Sequence, residues 1–319
     1  MVMQVLLTTD TEMSSALHDE GVSAADNYAR SIEGKCVNGH RWGVGYELDE
    51  LQRWGLQTVF FVDPMPVLVY GPQLLADIVG PIVERGHEAQ LHIHTEWLAF
   101  APDSPVEGRT GRNIADFSRE DQRTLLALGR DLLVEAGAPS PTAFRAGNYG
   151  ANEDTLRALS DVGIGWDSSY NAAHLGGDCQ IDLPPDVKDV TQHRGVRVCP
   201  IGMIEDRPGT LRHAQLCALS ASEMRQALLH GAREQAQFFT VVSHSFELFV
   251  RKTRRGHPLM ASRFRSLCRM IAEEDRLVSG GFHRLEECGR TRGAKPLSAN
   301  MPRRVMRMAI QAGARLLIE

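Results

Sequence analysis

The alternation of short apolar runs with amphipathic stretches most constrains the fold of this 319-residue chain. Runs such as TVFFV and FTVVS have the length of buried strands, and longer segments with apolar residues at helical spacing separate them. About seven strand–helix units predict an α/β fold with parallel strands. The preferred arrangement is a distorted TIM-like (β/α)7 barrel, in a single domain with a C-terminal helical tail. An open doubly wound sheet is the alternative.

The pattern also predicts where the elements lie. The predicted strands are residues 3–9, 58–62, 88–92, 142–145, 163–167, 196–200, 239–243 and 282–285. The predicted helices are residues 43–55, 73–85, 119–136, 153–162, 222–237 and 262–274. The connections after the first and third strands are long, and loops of such length are usually functional or disordered.

The charge distribution separates a basic tail from an acidic body. The net charge of -5 and the pI near 6.2 argue against a general nucleic-acid binder. Residues 290–319 hold seven Arg or Lys and one acid, so we divide the chain into a barrel domain of residues 1–289 and a tail of residues 290–319. Residues 302–318 predict an amphipathic helix with an apolar side that includes Val305, Ala309, Ala312 and Leu316. Such a helix either packs on the protein or attaches to an anionic membrane face.

The cysteines and the apolar runs bear on the compartment. Six cysteines lie far apart without a Cys-x-x-Cys pair, which fits a reducing compartment. The first apolar run is too short for a signal peptide and leads directly into Asp10. No apolar stretch approaches the roughly 20 residues that cross a bilayer. We therefore expect a cytoplasmic protein, at most peripheral to the inner membrane face.

Ionisable side chains follow the predicted carboxyl ends of five strands. In a barrel of parallel strands, the active site lies at this end of the fold. The pattern therefore predicts an active site formed by Asp10, Glu12, His92, His94, Glu96, Arg145, Asp167 and His244.

The spacing of two histidines points to a metal ion. His92 and His94 lie on the same face of an extended chain, which suits one metal. With a carboxylate from a neighbouring strand end, they make the two-histidine, one-carboxylate set of a catalytic zinc ion, which leaves a position open for water. Glu96 competes with His94 for a ligand position.

Three motifs in this order resemble those of the polysaccharide deacetylases, the metal-dependent family of chitin, peptidoglycan and nodulation-factor deacetylases. TTDTE resembles the family's first motif, GHEAQLHIHTEW the second and FRAGNYG the third, and the resemblance covers residues 3–287. It implies that Asp10 is the base and Glu12 a metal ligand, although the two could exchange roles. It also implies His92 as the first histidine ligand and His94 as the second.

The same resemblance implies roles for residues on later strands. Arg145 would brace the base Asp10, Asp167 matches the acid of the fourth motif, and His244 matches the histidine of the fifth. The usual position of the second histidine ligand is occupied by Glu96, so His94 stands two residues earlier than in most members.

The implied reaction is hydrolysis of the N-acetyl group of an amino sugar, with a divalent metal, most simply Zn²⁺. Asp10 would take a proton from the attacking water, and the backbone N–H of Tyr149 would help to bind the oxyanion. His244, oriented by Asp167, would protonate the leaving amine. The expected partner is a small carbohydrate, a nucleotide- or lipid-linked precursor in the biosynthesis of a surface polysaccharide such as lipopolysaccharide O-antigen.

Several alternatives remain at the level of sequence. The same scaffold could hydrolyse a formamide or a cyclic amide, or the chain could be a sugar-binding relative without catalysis. The donor set alone does not separate zinc from cobalt, nickel or manganese. The oligomeric state is not predicted.

Overall fold

The computed structural model describes residues 2–285 and 295–318. Its strands are β1 (Met3–Thr11), β2 (Val59–Val62), β3 (Glu88–Ile93), β4 (Ala143–Ala146), β5 (Trp166–Asp167), β6 (Thr191–His193), β7 (Val196–Val198), β8 (Met203–Arg207), β9 (Thr210–His213), β10 (Phe238–His244), β11 (Phe249–Val250), β12 (Arg255–Gly256) and β13 (Leu277–Ser279). Its α-helices are α1 (Ser15–Asp19), α2 (Ala24–Ser31), α3 (Val44–Arg53), α4 (Val67–Tyr70), α5 (Gln73–Glu84), α6 (Arg119–Glu135), α7 (Glu153–Asp161), α8 (Ala221–Arg233), α9 (Pro258–Glu273) and α10 (Met301–Ile318).

The chain divides into two compact units, each made of segments that are distant in sequence. Unit 1 contains Met1–Thr9, Ala29–Thr58 and Ile201–Glu319, and unit 2 contains Asp10–Tyr28 and Val59–Pro200. Strand β1 therefore begins in unit 1 and ends in unit 2. The predicted boundary at residue 289 lies outside the described residues, so that division stays a prediction.

The sheet of unit 2 is built from parallel strands in the order of the sequence. Strands β2, β3, β4, β5 and β7 pair in parallel, and β6 pairs with β7 in the antiparallel direction. A doubly wound sheet reverses its strand order at a switch point, and this run does not. The fold class predicted from the sequence, an α/β fold of the distorted TIM-like barrel class, is confirmed.

Burial explains why the strands of unit 2 were visible in the sequence. All four side chains of β2, the segment VFFV, are fully buried. Parallel strands that are covered on both faces have continuous apolar runs instead of alternating ones. Helices α5 and α6 contact β3, the strand that carries His92. The register pairs His92 with Arg145 of β4.

Unit 1 contains the first part of β1 with its neighbours β10 and β13. The start of β1 pairs in parallel with β13, with Met3 opposite Leu277. Helices α8 and α9 contact each other, α8 also contacts β10, and α9 contacts β13. Strands β8 and β9 form one antiparallel hairpin, and β11 and β12 form another.

The tail helix α10 belongs to unit 1 and packs on the rest of that unit through its basic residues. Arg307 is almost fully buried, with its two terminal nitrogens 2.8 Å from Glu223 Oε1 and 2.5 Å from Asp206 Oδ1. Arg303 donates to Gln226 Oε1 at 2.8 Å. Val305 on the predicted apolar side is 56% exposed. The helix is confirmed, and membrane contact through residues 302–318 stays a prediction.

One predicted strand is wrong. Residues 282–285 were expected to be extended, but Phe282–Arg284 forms a 3-10 turn, and the last strand, β13, ends at Ser279. The two glycines that follow β13, Gly280 and Gly281, allow the chain to leave the sheet. Phe282 is therefore buried as part of a turn and not as part of a strand.

Two further features concern the helices and the cysteines. Within the described residues, no helix combines the length and apolar character that crossing a lipid bilayer requires. Five cysteines of the described part are free thiols, namely Cys36, Cys179, Cys199, Cys217 and Cys268.

Candidate active site

Glu12, His92 and His94 form a cluster at the ends of β1 and β3. One potential ligand atom from each lies within 4.8 Å of the other two. Glu12 Oε2 is 3.2 Å from His92 Nε2 and makes a short contact with His94 Nε2. The three residues that the sequence proposed as metal ligands are thus brought together, although they come from positions 80 residues apart.

A hydrogen bond sets the orientation of the His92 ring. His92 Nδ1 lies 2.7 Å from the carbonyl oxygen of Arg145, which can only accept, so Nδ1 carries a proton. In the neutral imidazole, Nε2 then presents its lone pair to Glu12 Oε2. Two electron pairs that face each other are stabilised by a cation between them.

The ring of His94 is oriented by a carboxylate. His94 Nδ1 is 3.1 Å from Glu96 Oε2, and the other oxygen of Glu96 accepts a hydrogen bond of 3.1 Å from Asn148 Nδ2. Donation of the second ring N–H to a carboxylate is the usual support for a metal-binding histidine. The geometry therefore favours His94 as the ligand and Glu96 as the residue that holds it.

The electrostatics of the cluster fit a divalent cation. Burial disfavours the charged imidazole of His94, but Glu12 and Glu96 outweigh this effect and raise the pKa of His94 well above its ordinary value. A proton on Nε2 between His94 and Glu12 is what a metal ion would displace on binding. Two imidazole nitrogens and one carboxylate oxygen are the donors of catalytic zinc sites, so these residues fit the metal that the sequence implied.

Asp10 and Arg145 form a buried ion pair next to the cluster. Arg145 is fully buried, Asp10 is 3% exposed, and their nearest atoms are 2.5 Å apart. The guanidinium also donates to Ser168 O at 3.2 Å and lies 4.2 Å from the centroid of the Phe61 ring. These contacts hold the Arg145 guanidinium beside Asp10. The role of Arg145 as the residue that braces a catalytic base stays a prediction.

Close packing explains a glycine of the FRAGNYG segment. A Cβ atom at Gly147 would lie 2.8 Å from His94 Nδ1, which is too close for any other residue. Asn148 and Tyr149 follow in the left-handed conformation, with φ of 57° and 58°. This turn brings Asn148 to Glu96. The role of the Tyr149 N–H stays a prediction.

Sequence analysis missed Asp63, which follows β2. Its Oδ1 accepts from Met65 N at 3.1 Å and from His94 N at 3.4 Å. Burial raises the pKa of Asp63 to about 7, although the nearby His94 and His92 lower it in part. Its position directly after a buried strand, TVFFVD, was the signal that could have identified it.

Asp167 lies at the end of β5 and is fully buried. Its carboxylate accepts hydrogen bonds from Ser169 N at 3.0 Å and from Ser169 Oγ at 2.6 Å. Burial raises the pKa of Asp167 to about 6, and the hydrogen bonds and Arg145 partly oppose this effect. Its predicted action on His244 stays a prediction.

His244 ends β10 in unit 1 and has a carboxylate partner that the sequence analysis missed. His244 Nδ1 is 3.0 Å from Glu247 Oε1, and Gln215 Nε2 lies 3.1 Å from the same nitrogen. Glu247 Oε1 can only accept and the amide nitrogen of Gln215 can only donate, so these two neighbours favour opposite protonation states of Nδ1. The role of His244 in proton transfer stays a prediction. The only sequence signal was the spacing of three residues in HSFE.

Glu47 is a further buried carboxyl group of unit 1. Glu47 Oε2 accepts a hydrogen bond of 2.8 Å from Thr9 Oγ1, next to Asp10 in sequence. Burial raises the pKa of Glu47 to about 8, and the negative charge of Glu247 adds to this shift. Sequence analysis placed Glu47 in a helix and gave it no role.

Comparisons with known proteins identify the fold. No protein-family model matches the chain, and no curated protein matches it. Among solved structures, a proposed polysaccharide deacetylase from Mycobacterium smegmatis shares 16% identity, with 91% of this chain and 94% of that chain covered and a TM-score of 0.56. The chain therefore has a polysaccharide deacetylase-like fold.

Two further similar structures set the limits of this likeness. The α-amylase AmyC from Thermotoga maritima shares 10% identity over 94% of this chain and 76% of that one, with a TM-score of 0.51. A family 4 carbohydrate esterase from Streptomyces lividans shares 12% identity, with 93% of this chain and 98% of that chain covered. Its TM-score of 0.45 is too low to support an argument. Since the fold also occurs in an amylase, function has to be argued from the site.

Proposed function

We propose that this protein is a metal-dependent hydrolase that removes the N-acetyl group from an amino sugar. The observation that carries the proposal is the cluster of Glu12, His92 and His94 next to the buried pair of Asp10 and Arg145. The hydrogen bond from His92 Nδ1 to Arg145 O joins the two groups directly. A set of metal donors beside an ionisable base is the arrangement that metal-assisted hydrolysis needs.

The residues divide the chemistry between two proton transfers. A divalent ion held by Glu12, His92 and His94, most simply zinc, would polarise the acetyl carbonyl and lower the pKa of a water molecule. Asp10 takes the proton from the attacking water, and Arg145 fixes the position of its carboxylate. The backbone N–H of Tyr149 donates a hydrogen bond to the oxyanion.

The second transfer goes to the leaving amine. We assign it to His244, because an imidazole titrates near neutral pH and Glu247 Oε1 lies 3.0 Å from Nδ1, where it can accept a hydrogen bond from the protonated ring. Asp167 is assigned as the further acid that supports this histidine. In the imidazolium form, which carries a proton on each ring nitrogen, His244 gives the Nε2 proton to the leaving amine, and acetate is the second product.

The proposed substrate is a nucleotide- or lipid-linked amino sugar, a precursor in the biosynthesis of a surface polysaccharide. Such precursors are made in the cytoplasm, and the five free cysteines of the described part support a reducing compartment. A small substrate also accords with the proposed chemistry, which needs only one acetamido group within reach of the metal and the base.

The experiment is a product analysis on the purified chain, freed of metal and then supplied with zinc, cobalt, nickel or manganese in separate samples. UDP-N-acetylglucosamine, chitin oligomers, an N-formyl amino sugar and allantoin serve as substrates, and Asp10→Asn is the matched inactive variant. The proposal expects acetate and free amine in equal amounts from the nucleotide sugar.

Each other result contradicts a specific part of the proposal. Formate as the preferred product indicates a deformylase, and a ring-opened acid indicates a cyclic amidase. Preference for chitin oligomers removes the precursor hypothesis. Sugar binding that needs no metal and gives no turnover indicates a non-catalytic relative.

A further inference from the structure

A basic hairpin follows the segment that contains His244. Residues 248–272 include seven Arg or Lys and no Asp or Glu, in a chain with a net charge of -5. Four of these cations lie within the five residues RKTRR, positions 251–255. Strands β11 and β12 pair Phe249 with Gly256 and Val250 with Arg255, so the cations occupy the turn and its rim. We call residues 249–256 the basic hairpin.

Several contacts hold the basic hairpin in one conformation. Arg254 N donates to Val250 O at 2.8 Å and closes the turn, with Arg254 in the left-handed region at φ 52°. Val37 N donates to Arg254 O at 3.4 Å. A Cβ atom at Gly256 would lie 2.6 Å from the Trp42 ring, so the second strand packs closely on that indole. Four cations on a fixed backbone create a positive potential at the turn, and such a potential attracts anions.

Stacked side chains connect the basic hairpin to His244. The guanidinium carbon of Arg251 lies 3.8 Å from the centroid of the Phe246 ring. The Phe246 ring in turn lies 5.2 Å from the His244 ring, centroid to centroid, at an angle of 37°. One aromatic ring therefore separates a cation of the hairpin from the histidine that we assign to the leaving amine.

We propose that the basic hairpin binds a phosphate group carried by the amino-sugar substrate. This inference rests on the proposed function, which places the sugar at His244. Arginine and lysine are the common phosphate-binding side chains, and arginine binds phosphate with two hydrogen bonds. A nucleotide-linked and a lipid-linked amino sugar share a phosphate ester next to the sugar, whereas a neutral polymer has none. The hairpin thus selects the charged precursor.

The test compares a hairpin variant with a variant of equal charge change elsewhere in unit 1. Lys252→Ala with Arg255→Ala removes two exposed cations from the hairpin and leaves the Arg251 stack intact. Arg207→Ala with Arg233→Ala removes two exposed cations from other elements of the unit. Three substrates are assayed: the neutral methyl glycoside of N-acetylglucosamine, N-acetylglucosamine 1-phosphate and UDP-N-acetylglucosamine.

We expect the hairpin variant to raise KM about tenfold for the two phosphate-bearing substrates, with kcat little changed. KM for the neutral glycoside should not change, and the difference should shrink in about 0.5 M salt because the interaction is exposed. The control variant should behave as wild type. Equal effects on neutral and charged substrates, or no effect on the charged ones, would overturn the proposal.

Direct binding separates failure of this proposal from failure of the proposed function. Calorimetry with N-acetylglucosamine 1-phosphate and with UDP needs no turnover. If no amide is hydrolysed but the hairpin variant loses phosphate binding, the hairpin site stands and the assigned reaction fails. If hydrolysis occurs and the variant still binds both compounds, the hairpin proposal fails. Hairpin-dependent binding to phosphatidylglycerol vesicles, without binding of either soluble phosphate, would overturn it in favour of a membrane surface.

Discussion

His94 Nδ1 lies 3.1 Å from Glu96 Oε2, and this contact decides which of the two residues faces Glu12. Because Nδ1 donates to Glu96, the other ring nitrogen points at Glu12 Oε2. Asn148 holds the second oxygen of Glu96 at 3.1 Å. This geometry supports the proposal that His94 is the metal ligand and that Glu96, the competing candidate from the sequence, orients it.

Metal binding should follow this division of roles. We expect about one equivalent of divalent metal in the wild type, and loss of it in His92→Ala and in His94→Ala. Glu96→Gln should keep the metal with roughly 10- to 100-fold lower affinity, as other changes in outer-sphere partners do. Elemental analysis measures the metal content, and competition with a chelator measures the affinity. His40→Ala, which removes an exposed histidine, is the control. Complete loss of metal in Glu96→Gln would make Glu96 itself a ligand.

The close approach of Gly147 to His94 predicts a second effect on the metal. Gly147→Ala would place a methyl group 2.8 Å from His94 Nδ1, so the ring must move and the bond to Glu96 must lengthen. Metal affinity should fall at least about tenfold. Gly80→Ala, where the added methyl group meets nothing within 4 Å, is the matched control. Unchanged affinity in Gly147→Ala would show that His94 can shift without loss of the site.

The buried pair of Asp10 and Arg145 should dominate the stability of unit 2. Arg145→Met leaves the Asp10 carboxylate buried without a counter-charge, so the free energy of unfolding should fall by about 3–5 kcal/mol. Adding Asp10→Asn should recover part of this loss. Urea denaturation measures both variants. Arg119→Met, which breaks a half-exposed pair with Asp161, should cost less than about 1 kcal/mol. An equal cost for the two arginines would contradict the role of burial.

Glu47 should make stability fall as pH rises. Its pKa is about 8 in the folded protein and near 4.5 when unfolded, so between these values the folded state holds a proton that the unfolded state has lost. The contribution of Glu47 to the free energy of unfolding should therefore be fully present below pH 4.5 and decrease by up to roughly 1.4 kcal/mol per pH unit toward pH 8.

The variant Glu47→Gln isolates this contribution. It keeps an acceptor for Thr9 Oγ1 but cannot ionise, so its stability should decline less steeply over the same pH range. Urea denaturation of metal-free protein at a series of pH values measures the difference from wild type. Glu50→Gln in the same helix is the control. Parallel curves for wild type and Glu47→Gln would show that Glu47 titrates normally.

The tail helix should depend on one buried arginine. Arg307→Met leaves Asp206 and Glu223 buried without their counter-ion, and the free energy of unfolding of unit 1 should fall by about 3–5 kcal/mol. Arg303→Met, whose side chain is only partly buried, should cost less than about 1 kcal/mol. Limited proteolysis should release the tail first in Arg307→Met. Equal resistance of the two variants would show that the helix is held by other contacts.

The sequence alone determined the fold class, and it proposed a set of site residues of which the structure brings Glu12, His92 and His94 together. Apolar runs marked the buried strands of unit 2, and apolar residues at helical spacing marked helices such as α6. The polar residues after strands identified Glu12, His92 and His94, because carboxyl ends of parallel strands meet at one edge regardless of the loops between them.

Only the tertiary structure decided which hydrogen-bond partners each side chain has. His94 and Glu96 were interchangeable in sequence, and only the ring orientation separated them. Asp63, Glu47 and Glu247 carried no motif, since their importance comes from burial and from partners distant in sequence or across a turn. The sequence also did not show which side of the tail helix faces the protein, because its arginines pair with carboxylates about 80 to 100 residues away. Local periodicity is encoded along the chain, whereas hydrogen-bond partners and desolvation exist only once the chain has folded.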